Sequence, residues 1–408
     1  MKSNYRAIGD FIRLVDIRNK ELKNLELVGV SINKRFIPSV ANIIGSDMTN
    51  YKIIKKNQFA CSLMQVRRDG KIPVSLFEDE EAIISQAYPV FEIIDTNELL
   101  PQYLMMWMTR SEFDREACFY AVGGVRGSLE WEDFCSMKLP VPSLEKQKEI
   151  IKEYHTITDR IKLNEQLNQK LENTAQSIYK EWFVNFEFPD ENGKPYKSNG
   201  GEMVYCDELD MDIPIDWSVD TLGSYVNSNS STFSKSDNFE EIKYVDTSSI
   251  TNNKIEHIQI LEVNKDVIPS RAKRKVKHNS IIYSSVRPNL CHFGLIKNPP
   301  NNLIVSTGFI VIDTNKDLLA EYVFLFLTSA KLIKYFQSKA EMSVSTYPSI
   351  KPEDLLETKI LLPDNKTLIN LKQIFEPIYN LQLNKNSESK SLEILKETLL
   401  SKIATIEE

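Results

Sequence analysis

The chain has 408 residues, of which 42% are apolar, 10% aromatic and 26% charged, with a formal net charge of -7. At roughly 100–200 residues per domain this length predicts two or three folded units, and the balance of apolar and charged residues excludes wholesale disorder. The acidic total means that any contact with nucleic acid has to come from local basic clusters.

Met1 to Asp16 scatter charges among their apolar residues, unlike the core of a signal peptide. No later run approaches the ~18 uncharged residues of a membrane span, so the expected setting is the cytoplasm, away from membranes. The five cysteines, Cys61, Cys118, Cys135, Cys206 and Cys291, are odd in number and contain no C-x-x-C pair. That spacing fits neither a disulfide framework nor a zinc site. Cys291 and His292 adjoin, but a metal needs ligands from separated positions.

In chain order, residues 1–142 read as short β-like segments with a small basic group (Arg67, Arg68, Lys71). An apolar helix from Tyr103 to Phe113, a glycine-rich loop from Gly123 to Ser128 and a strand ending in Leu139-Pro140-Val141-Pro142 complete this part. Residues 143–188 form a long helix. Its positions Gln147, Ile150, Tyr154, Ile157, Ile161, Asn164, Asn168, Leu171, Ala175, Ile178 and Trp182 follow steps of three and four, a heptad seam. About 36 residues at ~1.5 Å each make a rod of roughly 54 Å. Residues 189–216 are rich in turn formers, such as P-D-E-N-G-K-P, and read as a linker.

Residues 217–363 then repeat the first part. Ile84-Ser85-Gln86-Ala87 resembles Val305-Ser306-Thr307-Gly308, an offset of 305 − 84 = 221, and Pro142 matches Pro363 at the same offset. Tyr103 to Thr109 parallels Tyr322 to Thr328 after a two-residue shift, so a second apolar helix is expected from Tyr322 to Phe336. A second basic cluster runs from Arg271 to Lys277. Residues 364–408 repeat the long helix, with a seam through Leu368, Leu371, Phe375, Ile378, Gln382, Lys385, Ser389, Leu392, Lys396, Leu399 and Ile403. Both seams are polar at their centres, which can fix register or orientation at some cost in stability. Two independent amphipathic helices are the alternative to pairing.

The sequence lacks a P-loop, G-x-G-x-x-G, H-E-x-x-H and G-x-S-x-G, so the expectation is a protein that is not an enzyme. Asn298-Pro299-Pro300 begins like an amino-methyltransferase motif, but Asn301 stands where that motif has an aromatic ring, and the segment reads as a turn.

Residues 177–188 (S-I-Y-K-E-W-F-V-N-F-E-F), Gly201-Glu202-Met203-Val204, Ile213-Pro214-Ile215-Asp216-Trp217 and the Leu139–Gln147 run L-P-V-P-S-L-E-K-Q carry a resemblance over essentially the whole chain. They are similar to the specificity subunit of type I restriction-modification systems. The second junction departs from the pattern, because Leu362-Pro363-Asp364-Asn365-Lys366 lacks the second proline and the glutamine. The resemblance implies an α+β protein of two duplicated α/β target recognition domains separated by two long antiparallel coiled-coil helices. It implies recognition of a bipartite, asymmetric double-stranded DNA target, and partners in two modification subunits and the restriction subunits. Those partners would bind S-adenosylmethionine, ATP and Mg, with no cofactor or metal in this chain. The expected DNA-contacting residues are Gln65, Arg67, Arg68, Lys71, Arg126 and Ser128 in the first half, and Arg274, Lys275, Arg287, Asn289, Thr346 and Tyr347 in the second. These side-chain types can reach base edges and phosphates. The apolar residues expected to pair the helices or dock partners are Ile150, Tyr154, Ile157, Ile161, Leu171, Ile178 and Trp182, with Leu371, Phe375, Ile378, Leu392, Leu399 and Ile403. Two other readings stay open: a related system whose partner fuses methylation and cleavage, and a coiled-coil protein scaffold that does not bind DNA.

Overall fold

Runs rich in Val, Ile, Phe and Tyr become short strands, and the two halves of the chain arrange them in the same order. The structure, a computed structural model, describes residues 5–39, 47–64, 66–121, 127–315, 318–342 and 348–405. By internal contacts the chain divides into two units, Met1–Asn164 with Ser387–Glu408, and Glu165–Asn386. Each unit holds one sheet-bearing domain and part of both long helices.

In the first unit, Ile12–Val15, Val90–Ile93, Phe59–Cys61 and Val74–Leu76 form a four-stranded antiparallel sheet in that order. A second sheet orders Phe36–Pro38, Leu27–Val30, Glu81–Ile84 and Lys52–Lys55, with its central pair parallel. A two-stranded ribbon, Tyr5–Ala7 with Lys138–Pro140, ties the start of the domain to its end. The second unit repeats all three. Val226–Ser228, Phe309–Thr314, Ser280–Ser284 and Phe293–Ile296 make one sheet. Gln259–Glu262, Glu241–Val245, Leu303–Ser306 and Ala272–Lys275 make the other, again with a parallel central pair. Ser218–Thr221 pairs with Lys359–Leu362 as the ribbon. Ser280–Ser284 and Leu303–Ser306 are buried along their whole length, which is why they read as continuous apolar runs rather than alternating ones.

Each expected apolar helix is two helices. Pro101–Thr109 and Ser111–Tyr120 are separated at Arg110, and Ala320–Leu327 and Ala330–Glu341 at Thr328 and Ser329. Arg110 and Ser329 are extended (ψ 144° at each), and the Thr109 and Thr328 hydroxyls donate to carbonyls one turn back, at 2.8 and 2.7 Å. Thr-Arg-Ser and Thr-Ser at the breaks offer the backbone these local bonds in place of a continuing helix. The first helix of each pair is core. Tyr103, Leu104, Met106, Trp107 and Met108 are buried, each Leu or Met contributing about 1.5–3 kcal/mol. Its tyrosine locks the closing strand in both halves: the Tyr103 hydroxyl donates to Pro140 O at 3.1 Å, and that of Tyr322 to Leu361 O at 2.7 Å.

The long helices, Leu144–Phe183 and Asn365–Ile403, run antiparallel within each unit. In the first, Ile150 shares a core with Leu400 and Ile403, and Arg160 bonds Glu388 at 2.7 Å. In the second, Asn168 donates to Asn386 at 2.8 Å and Gln382 to Glu172 at 3.4 Å, while Ala175 and Tyr179 share a core with Leu371, Phe375 and Tyr379. The stretch read as a linker contains a hairpin, Met203–Cys206 with Met211–Pro214, flanked by buried Phe186, Phe188 and Trp217.

Candidate nucleic-acid interface

The expected base-reading residues on which the structure bears are Arg67, Arg68, Lys71, Ser128, Arg274, Lys275, Arg287 and Asn289. Gln65, Arg126, Thr346 and Tyr347 lie outside the described residues.

In the first unit the short helix Val66–Asp69 follows strand Phe59–Cys61 and exposes Arg67 and Arg68, while Val66 is fully buried. Four bonds hold this segment. The Arg67 N–H donates to Gly127 O at 3.1 Å and that of Leu129 to Leu63 O at 2.9 Å. The Ile72 N–H donates to the Asp114 carboxylate at 3.1 Å, and the Cys118 thiol reaches Val66 O at 3.5 Å. Gly127 has φ +57°, and a Cβ there would stand 2.6 Å from Arg67 Cβ, so backbone meets backbone only because position 127 is glycine. Ser128, half-buried, is thereby brought beside Arg67. Arg68 is gripped bidentately by Asp69 at 2.7 and 3.2 Å, whereas Arg67 has no carboxylate partner among the described residues. Lys71 is exposed beside Gly70, which has φ +67°. Beneath them Asp114 forms a buried ion pair with Lys34 at 2.8 Å, and burial pushes the Lys34 ammonium below its usual value.

The second unit repeats this construction with other side chains. The Arg287 N–H donates to Pro348 O at 3.1 Å and that of Ile350 to Ser285 O at 2.8 Å. These bonds match those of Arg67 and Leu129 at offsets of 287 − 67 = 220 and 350 − 129 = 221. The Asn289 N–H donates to Gln337 Oε1 at 3.1 Å, from the helix that corresponds to the one bearing Asp114. Arg287 and Asn289 are both exposed, on either side of buried Pro288, so the structure brings this pair together. Arg287 sits in the left-handed region at φ 48°, a conformation that costs a non-glycine residue about 1–2 kcal/mol. Strain of this kind gathers at functional turns.

Arg274 and Lys275 stand apart from this turn, on the edge strand Ala272–Lys275 of the other sheet. Lys275 pairs with Asp237 at 2.5 Å and lies over the Phe239 ring, and its hydrogen bond holds the Asp237 carboxyl below the usual range. Arg274 is half-buried, with its Nε buried and without a hydrogen-bond partner among the described residues. The supporting residues Asp114, Cys118 and Gln337 carry no sequence signal of their own, and with 337 − 114 = 223 the repeat offset of 221 does not single them out.

Along the long helices none of the expected seam positions is exposed: Ile150, Ile157, Trp182, Leu371, Phe375 and Ile403 are buried, and Tyr154, Ile161, Leu171, Ile178, Ile378, Leu392 and Leu399 half-buried. Tyr179, Phe183, Tyr379 and Leu400 are buried on the same helices without having been part of the expected set. At the polar centre Asn164 reaches Ser389 at 3.3 Å, and Gln382 also donates to Asn168 O at 3.2 Å. Burial raises the Glu172 carboxyl above its usual value, against the opposing hydrogen bonds of Gln382, Gln176 and Asn253. Among the described residues no group of three or more His, Cys, Asp or Glu is placed to hold a metal, and no helix is long and apolar enough to cross a membrane.

Comparison with known proteins agrees with this architecture. The type I restriction modification DNA specificity domain matches residues 8–173 and again 214–393. The chain is 31% identical over 156 residues to the type I restriction enzyme HindI specificity subunit of Haemophilus influenzae, an alignment covering 37% of this chain and 34% of that protein. It is 24% identical over 310 residues to the MjaIX specificity subunit of Methanocaldococcus jannaschii, covering 74% of this chain and 67% of that one. The crystal structure of a type I restriction-modification system S subunit from M. genitalium superposes with a TM-score of 0.57 at 16% identity, over 100% of this chain and 98% of the other, a likeness of fold. With the family's domain present twice, once in each half, the chain belongs to the type I restriction-modification DNA specificity family.

Proposed function

We propose that this chain chooses the DNA sequence on which a type I restriction-modification complex acts. Residues 1–142 and 217–363 each read one half of a bipartite, asymmetric duplex target. The long helices, 143–188 and 364–408, carry two methyltransferase subunits, and restriction subunits join that assembly. The chain works in the cytoplasm and has no catalytic role of its own; S-adenosylmethionine, ATP and Mg are bound by its partners.

The observation that carries this reading is the duplicated turn: an exposed arginine in each half, in a segment held by the same pair of backbone bonds at offsets of 220 and 221. A guanidinium on a turn held by backbone bonds, with no carboxylate partner among the described residues, is suited to a guanine edge or a phosphate. Arg67, Ser128, Arg287 and Asn289 are the leading contacts, with Arg68, Lys71, Arg274 and Lys275 contributing positive charge. The net charge of -7 fits a chain whose partners supply much of the basic channel. Binding by the chain alone is then weak and salt-sensitive, and binding by the assembled complex much tighter.

The test is co-expression with the methyltransferase subunit, followed by methylome sequencing. A split methyladenine motif that depends on this chain, and of which one half alone changes when residues 1–142 are exchanged, is the expected result. A stable complex that yields no motif would refute sequence recognition while leaving assembly in place.

A further inference from the structure

Two large apolar side chains project from the surface at corresponding places in the two units. Phe119, in the last turn of helix Ser111–Tyr120, is 77% exposed, and Met342, which caps helix Ala330–Glu341, is 81% exposed. Among the described residues only Val267 is a more exposed large hydrophobic. Both helices follow the core helix of their domain, and both pack on the arginine-bearing turn of their own unit. Cys118, the neighbour of Phe119, contacts Val66, the neighbour of Arg67. Gln337, little more than a turn before Met342, accepts the Asn289 N–H two residues beyond Arg287.

A single exposed hydrophobic residue is ordinary on a protein surface. Here one occurs at the same helix end in each half, on a helix that packs against the turn bearing an exposed arginine with no carboxylate partner among the described residues. Cations neutralise phosphates, whereas an apolar side chain adds sequence choice by touching bases, through a thymine methyl or as a wedge at a base step. We propose that Phe119 and Met342 are specificity-determining base contacts, one for each half of the target; this rests on the DNA-reading function proposed above. The different shapes of phenylalanine and methionine suit two halves that read different sequences.

The test uses full-length Phe119→Ala and Met342→Ala chains assembled with the methyltransferase subunits. Each is titrated with a duplex carrying the motif of the parent complex and with a scrambled duplex, over a series of salt concentrations. Cognate affinity is expected to fall about tenfold in each variant, while scrambled-duplex affinity and the slope of log K against log salt stay at the parent's values, because an apolar contact releases no counterions. Phe119→Leu is expected to keep most of the affinity. Cognate affinity within about twofold of the parent overturns the inference, as does an equal loss on both duplexes. Loss of methyltransferase subunits from the complex, or a lowered melting temperature, also overturns it, since the side chain would then serve assembly or folding. A parent complex without selective binding overturns the proposed function itself, and the inference with it.

Discussion

Gly127→Ala tests whether the first unit's arginine turn depends on close backbone approach. Position 127 has φ +57°, and the new Cβ would lie 2.6 Å from Arg67 Cβ. The left-handed conformation alone costs a residue with a side chain about 1–2 kcal/mol. Relieving the clash means parting two backbones joined by the 3.1 Å bond from Arg67 N–H to Gly127 O, and losing that bond costs about another 0.5–1.5 kcal/mol. The expected loss is therefore about 1.5–3.5 kcal/mol in denaturant unfolding, or less where the turn yields. In the latter case Arg67 moves, and the cost appears as weaker cognate DNA binding. Arg67→Gly removes the clashing Cβ and leaves φ at 127 untouched, so the double variant recovers the steric share and not the conformational one. Hydrogen exchange at the Arg67 and Leu129 amides reports the same event locally, and both are expected to exchange faster in Gly127→Ala. Unchanged unfolding together with unchanged exchange and unchanged DNA affinity would refute the reasoning.

Three further predictions follow from buried polar groups. Tyr103→Phe and Tyr322→Phe leave the Pro140 and Leu361 carbonyls without their donors, and each is expected to lower unfolding stability by about 1–3 kcal/mol in denaturant melts. Asp114→Ala strands the buried Lys34 ammonium and frees the Ile72 N–H, for an expected loss of about 3–5 kcal/mol; most of it should return when Lys34→Met is added, measured as a double-mutant cycle. The Glu172 carboxyl is raised by burial, so the stability it contributes is fully present below the ordinary carboxylate range and lost as pH rises through its raised value. Glu172→Gln is accordingly expected to be more stable than the parent at neutral pH and equal to it below pH ~4, checked by melting at both ends; equal stability at neutral pH would refute it.

The repeat was legible because an offset survives even where residue identity does not: Ile84-Ser85 against Val305-Ser306, and Pro142 against Pro363. The heptad seams were legible for the same kind of reason, since burial between helices imposes steps of three and four whichever apolar residue fills them. The breaks at Arg110 and Ser329 were hidden because the apolar pattern continues across them, from Trp107 to Phe113 and from Phe326 to Leu332, while the stop is local polar bonding by threonine. The hairpin within 203–214 was hidden by the turn formers around it, although Trp217 and Phe188 beside it are buried core. In the candidate interface, charge alone picked out Arg271 to Lys277, yet Lys275 is held by Asp237 and Arg274 is half-buried on an edge strand. Arg67 and Arg287 differ from these because backbone geometry, not charge density, leaves their side chains exposed.

On the proposed function, that difference lets one scaffold present two unlike reading surfaces. Among the bonds repeated between halves are the backbone pairs Arg67–Gly127 and Arg287–Pro348, Leu129–Leu63 and Ile350–Ser285, beside the tyrosine locks onto the closing strands. A backbone N–H and C=O exist at nearly every position, so such bonds tolerate replacement of the side chains around them. The side chains nearby differ between the halves: Gly127 against Pro348, and Asp114 against Gln337 in support of the turn. Under the proposed function, a substitution at an exposed turn position such as Arg67 or Arg287 alters what the turn presents while these backbone bonds stay in place. Side-chain anchors do not share that freedom. Asp114 and Lys34 belong to the first unit's turn alone, and it is there, rather than at the shared backbone bonds, that exchange of single residues between the two halves should fail.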